Sequence, residues 1–205
     1  GDCDMLILRR VFVAMVLTML CATALGQEPV MRLDFGKSDS AIEDGFTGAS
    51  LEDICSPERE FGWAKVHEYM AEADQGAGTD LQRDFIYGFD QVGSLPAEFV
   101  LDLTPGTYQI ALMAGDMRYG RGDLPFDVLV DGEVAIEEWH NRTWEYRMVR
   151  VEATEDPVRL GFRSSPGHGG RYSWWHCNGL VIFQTDNQKQ ARRHMDEMFA
   201  ALREA

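Results

Sequence analysis

The loop Gly115-Asp116-Met117-Arg118-Tyr119-Gly120-Arg121-Gly122-Asp123 brings carboxylates, guanidinium groups and a phenol together between flexible glycines. Aspartate and arginine make the paired hydrogen bonds that hold vicinal hydroxyls or the carboxylate of an acidic sugar. Asp116, Arg118, Tyr119 and Arg121 are therefore candidate ligand-binding residues. The bland alternative is a solvated loop whose charges pair with one another.

Aromatic residues gather late in the chain, at Trp139, Trp144, Tyr146, Tyr172, Trp174 and Trp175. An indole ring offers a wide apolar face of negative potential, on which the C–H face of a sugar ring can stack. Trp139, Trp144 and Trp174 are candidate platforms, against the reading in which each fills a core. Trp174 and Trp175 are consecutive, so on a strand they point to opposite faces. At most one of the two is core unless both faces are covered.

Oxygen donors suited to calcium occur at Asp34, Asp39, Glu43, Asp44 and Asp84, with Asp34 and Asp39 the leading pair. No EF-hand spacing is present, so such a site would be assembled from distant loops. Catalysis is not specified. The histidines at 67, 140, 168, 176 and 194 lack a Gly-x-Ser-x-Gly elbow, a His-Glu-x-x-His motif or a phosphate-binding loop around them. The chain is expected to be non-catalytic.

These residues must be positioned by strands. Phe99, Leu101 and Leu103 alternate with Val100, Asp102 and Thr104, and Pro105-Gly106 then turns the chain into Tyr108, Ile110 and Leu112. Phe126, Val128 and Val130 alternate up to Asp131-Gly132. Period-two patterning between Pro-Gly and Asp-Gly turns is the signature of half-buried antiparallel strands. Strands are expected at 97–104, 107–114, 125–131, 133–139, 145–153, 157–164 and 171–184, with a first one at 30–36. The expected fold class is an all-β jelly-roll sandwich of about eight strands. Residues 37–90 read as an irregular cap with a short helix around Ala64 to Ala73. Ala191, Met195, Met198, Phe199 and Leu202 recur at helical spacing, so the chain should end in an amphipathic helix. That helix either packs on the sandwich or leads into a further domain.

The chain has 205 residues and a formal net charge of −15. Met5 to Gly26 reads as a secretory signal peptide, with Arg9 and Arg10 before the apolar run Val11 to Ala22 and a small-x-small site at Ala24-Leu25-Gly26. The apolar run is too short to span a membrane. Residues 1–26 are thus upstream and signal sequence, 27–184 one sandwich domain, and 185–205 the helix, linker or start of a further domain. A secreted or periplasmic location follows. The acidic balance repels phosphate backbones and anionic membranes, which disfavours nucleic acid and membrane partners. In an oxidising compartment Cys55 and Cys177 are expected to pair as a disulfide, the alternative being two free thiols.

The order of short motifs carries a further reading. Arg32-Leu-Asp-Phe-Gly36 is followed by Gly45-Phe46, Ser56-Pro-Glu-Arg-Glu-Phe-Gly-Trp63, Leu81-Gln-Arg-Asp84, the segment Phe99 to Asp116, and Asn178-Gly-Leu-Val-Ile182. Over roughly residues 31–184 this resembles the galactose-binding-like (malectin-like) β-sandwich modules of bacterial polysaccharide-active enzymes. The resemblance implies a module that holds an enzyme on a polysaccharide or oligosaccharide, with a catalytic domain elsewhere in the full-length chain and, in some members, a structural Ca²⁺. It places Trp63 and the loop of Asp116 near the ligand-facing or cap side. The alternative is a structural or protein-interaction sandwich that docks a partner domain without binding sugar.

Overall fold

Thirteen strands and two helices occur among the described residues of the computed structural model, which are 28–76, 78–91, 94–115, 125–140, 143–165 and 172–204. One five-stranded sheet runs in the order β10 (Glu145–Ala153), β7 (Gly106–Ala114), β13 (Gly179–Phe183), β1 (Met31–Phe35) and β2 (Thr47–Ala49). The second runs β3 (Phe61–Trp63), β6 (Ala97–Leu101), β11 (Val158–Ser164), β8 (Phe126–Val130) and β9 (Glu133–Trp139). A smaller third sheet is built from β12 (Tyr172–Cys177), β5 (Asp84–Gln91) and β4 (Met70–Asp74). The architecture is all-β.

Alternation decides which side chains meet. Leu33 and Phe35, Ile110 and Leu112, and Leu180 and Ile182 of the first sheet share a core with Phe99, Leu101, Val128, Leu160 and Phe162 of the second. Ile86, Trp175 and Cys177 add the inner face of the third sheet to that core. Strands β7 and β13 are buried on both faces, which explains their unbroken apolar runs. The outer face of Ala111, Met113, Val181 and Phe183 is covered by helix α2 (Gln188–Glu204) through Ala191, Met195 and Phe199. These three lie four residues apart, on one stripe of the helix. Burying Met195 and Phe199 contributes about 1.5–3 kcal/mol each. That packs the helix on the sandwich.

The segment read as an irregular cap is more ordered than its composition implied. It holds β2, β3, β4 and most of β5, so the strand count rises well above eight. No helix covers 64–73; its end becomes β4, and the described helix nearby is the single turn α1 (Asp80–Arg83). Short strands of three residues, such as β2 and β3, show too few periods to register as alternation. The expected last strand 171–184 is two strands. It passes from the third sheet to the first at Asn178.

Candidate functional site

Asn178 gathers the ends of four elements. Its amide nitrogen donates to the Asp84 carbonyl at 2.9 Å and the Gln82 carbonyl at 3.4 Å, and its Oδ1 accepts from the Gly115 N–H at 2.9 Å. Its backbone N–H donates to Met113 O at 2.8 Å, and its carbonyl accepts from Phe35 N at 2.7 Å. The side chain is fully buried. Most of the short motifs picked out in the sequence therefore converge on one point between β1, β5, β7 and β12. Gly115 is required there, because a Cβ would fall on the Trp144 backbone.

This junction aims β5 and β12 so that one face of the third sheet carries rings. Trp174 lies opposite Phe89, and His176 opposite Tyr87. Trp174 stacks on Tyr87 with centroids 5.2 Å apart and packs against Phe89 at 4.6 Å. Phe85 continues the row, 5.9 Å from Tyr87 and 5.2 Å from His176. On β4 the residues facing Phe85 and Tyr87 are Ala73 and Ala71, so the sheet stays low beside the rings. Phe89 is 39 % exposed, and Tyr87 and Trp174 are half-buried. Beyond Phe89, Tyr69 accepts the Phe89 N–H on its carbonyl and stacks on His67 at 4.9 Å. The opposite face of the same strands carries Trp175, which is fully buried and stacked on Phe162 at 5.2 Å. Gly88 makes room for that indole. The two consecutive tryptophans divide as strand geometry requires, one core and one surface.

A second feature lies on the β1 side of the junction. Asp34 and Asp84, 3 % and 1 % exposed, line a cleft of about 530 Å³ together with Gly36, Lys37, Ser40, Asp53 and Arg59. Asp34 Oδ2 accepts the Glu43 N–H at 2.7 Å. Burial pushes the Asp34 carboxyl up to about 7, and the nearby carboxylates of Asp84, Glu43 and Asp80 add to the shift. Burial likewise pushes Asp84 up to about 6. Helix α1 sets Asp84 in place: Gln82 Oε1 accepts the Thr79 N–H at 3.1 Å, and Glu43 accepts the Leu81 N–H at 3.2 Å.

The remaining sequence candidates divide as follows. Asp116, Arg118, Tyr119 and Arg121 lie outside the described residues. Trp63, Trp139 and Trp144 are buried at 0 %, 1 % and 5 % exposure and present no ring face to a ligand. Trp63 packs on Phe99 at 5.1 Å in the sandwich core, Trp139 donates its indole N–H to Glu145 at 2.5 Å, and Trp144 stacks on Phe199 at 4.0 Å. Cys55 and Cys177 are not joined. Cys55 is exposed, whereas Cys177 is buried on β12, its thiol directed at the Met113 and Gly179 carbonyls at 3.5 Å each. Asp39 is exposed and outside the cleft that holds Asp34. Among the described residues no three His, Cys, Asp or Glu side chains come together as a metal cluster, and no helix is long and apolar enough to cross a membrane. Sequence reading missed Tyr87 and Phe89, and within its set of acidic residues it put Asp39 rather than Asp84 beside Asp34. The alternation Phe85, Tyr87, Phe89 was the available signal for the first two.

No protein-family profile matches the chain, and no curated protein matches it. Solved structures do. Protein YxiM from Bacillus subtilis superposes with a TM-score of 0.58 at 15 % identity, over 77 % of this chain and 40 % of that one. The plant receptor-like kinase ANX2 gives 0.57 at 13 % identity, over 78 % of this chain and 49 % of that one. A β-glucuronidase from Bacteroides uniformis gives 0.51 at 13 % identity, over 76 % of this chain and 18 % of that one. The match spans half or less of each of these proteins. What they share with this chain is the β-sandwich fold.

Proposed function

We propose that this chain is a non-catalytic carbohydrate-binding β-sandwich that takes a polysaccharide or oligosaccharide on the ring-bearing face of its third sheet. The observation that carries the reading is the row Tyr87, Phe89 and Trp174, whose rings pack on one another across a strand pair and keep solvent-facing area. Partly exposed aromatic rings side by side on a sheet give apolar surface that suits the C–H faces of sugar rings. The fold also occurs within a β-glucuronidase, which agrees with a carbohydrate-related role. The galactose-binding-like reading of the motifs and the jelly-roll reading of the two large sheets belong to this proposal. So do export by the segment Met5 to Gly26 and attachment to a polysaccharide-active enzyme.

Affinity electrophoresis against a panel of plant, algal and bacterial polysaccharides tests it. Retardation on at least one glycan, lost in Trp174→Ala and Phe89→Ala, is the expected result. A folded protein that migrates unretarded on the whole panel overturns the binding claim. The docking alternative would then be the better account of the same rings.

A further inference from the structure

The strands that end the two large sheets differ in how they meet solvent. β2 and β3 are three residues long, and β9 is bent by two register shifts against β8 and by Glu138 at φ 47°. Short or bulged edges of this kind resist pairing with another chain. β10 is different. Its nine residues pair one to one with β7, from Glu145 opposite Ala114 to Ala153 opposite Gly106, without a shift. Among the described residues no backbone hydrogen bond from outside that ladder reaches it. The Glu145 half of the strand is guarded. Helix α2 lies against Tyr146, whose hydroxyl donates to Asp196 at 2.5 Å, and Arg147 holds its charge over the Trp139 ring at 5.9 Å. Among the described residues the other half has no such guard. There Val149, Val151 and Ala153 enter the core, while Arg150 and Glu152 stand exposed on the outer face.

A row of unpaired N–H and C=O groups on a regular edge strand is a template for a further strand. The charges on this row are complementary to themselves. With Val151 opposite the partner's Val151 in an antiparallel pair, Arg150 falls opposite the partner's Glu152, and Glu152 opposite the partner's Arg150. Directly opposed residues of such a pair share a face, so both ion pairs form on the outer surface. A two-fold axis at Arg150 would instead set that residue against itself. An axis at Val149 or Met148 would leave it opposite the partner's Met148 or the partner's Tyr146, with no ion pair. We propose that two copies of this chain associate through β10 about Val151, joining two five-stranded sheets into one of ten. In the single chain Arg150 and Glu152 pair with each other at 2.5 Å, both side chains more than half exposed. An exposed pair of that kind is worth little, so it gives way to the cross-strand pairing. The contact uses the same edge on both copies and therefore closes at two. It is small, and the net charge of −15 on each copy opposes it, so the Kd is on the order of 10⁻⁵ M near physiological salt.

Sedimentation velocity of the whole chain, from about 2 to about 500 μM in about 0.15 M NaCl, tests the pairing. The weight-average mass should rise with concentration from one chain towards two. Arg150→Glu and Glu152→Arg each set like charges across the axis twice, and each should weaken association about tenfold or more. Both positions are exposed, so both variants should keep the wild-type circular dichroism spectrum. An equimolar mixture of the two variants should regain wild-type association, because each chain then presents the charges that the other lacks. A wild-type chain that stays monomeric at every concentration overturns the proposal. So does association that neither variant weakens, that the mixture fails to restore, or that grows past two chains.

Discussion

The Asn178 amide donates to the Asp84 carbonyl at 2.9 Å while its oxygen accepts the Gly115 N–H at the same distance. One side chain thus fixes where β5 begins and where β7 ends. Replacing it with alanine leaves a buried N–H and a buried carbonyl unpaired, each costing about 1–3 kcal/mol. Asn178→Ala should therefore lower stability by about 3–5 kcal/mol in urea unfolding. Asn178→Asp should do comparable damage, because a carboxylate cannot donate to Asp84 O and would be buried. A loss below 1 kcal/mol for both would mean that the junction is held by the surrounding strands instead.

Trp174 and Trp175 are neighbours in sequence with separate duties. Trp175→Ala removes a fully buried indole stacked on Phe162, so unfolding should be easier by about 3–5 kcal/mol. Trp174→Ala should cost about 1 kcal/mol through lost contact with Tyr87 and Phe89. Glycan retardation should show the opposite order, abolished in Trp174→Ala and kept in any Trp175 variant that folds. Equal stability losses would place both rings in a core.

The fate of these two residues shows what a sequence can carry. Strand alternation is a local rule, so the split between Trp174 and Trp175 is legible in the sequence. The helix stripe of Ala191, Met195 and Phe199 was legible for the same reason. Asp34 and Asp84 come to line one cleft through a turn of helix, a parallel strand pair and the Asn178 clamp, none of which leaves a periodic trace. Trp63, Trp139 and Trp144 illustrate the converse. Residue type marked them as platforms, but burial is decided by which sheet faces another, and each ended in a packed interior.

The two buried carboxyls set a pH dependence. Asp34 holds its proton up to about 7 in the folded chain against 3.8 as a free side chain, mainly because burial penalises its charge. Facing it are Asp84, Glu43 and Asp80; Asp84 in turn faces Asp74, Arg83 and the Ser40 hydroxyl. A raised carboxylate pKa means that the folded state binds more protons than the unfolded one between these values. Its contribution to stability is therefore full below about pH 4 and is lost as pH rises toward 7, then constant. The loss is on the order of 4 kcal/mol for Asp34 alone. The stability difference between wild type and Asp34→Asn should grow against wild type across this window. A difference that stays flat from pH 4 to 8 would show that Asp34 is not charged at a cost.

Thiol reactivity separates the two cysteines. Burial pushes the Cys177 thiol up to about 12, so almost no thiolate exists there at pH 8, and the side chain is 1 % exposed. Cys55 is exposed on its loop. Native protein treated briefly with iodoacetamide should carry the label at Cys55 and not at Cys177 on peptide mapping, without prior reduction. Both should be labelled in denaturant. Recovery of a Cys55–Cys177 crosslinked peptide from unreduced protein would contradict the structure.

Helix α2 covers ring surface that the sandwich cannot leave bare. Phe199 stacks on Trp144 at 4.0 Å and meets Tyr146 edge-on at 5.0 Å, and Tyr146 hydrogen-bonds Asp196 at 2.5 Å. Phe199→Ala should cost about 3–5 kcal/mol. A chain ending after residue 185 would expose Trp144, Met113 and Phe183, a contiguous apolar face that favours association. Light scattering on that truncated chain should show self-association, with a red-shifted tryptophan emission as Trp144 meets water. A monomeric truncated chain with unchanged emission would mean that the helix is dispensable to this face.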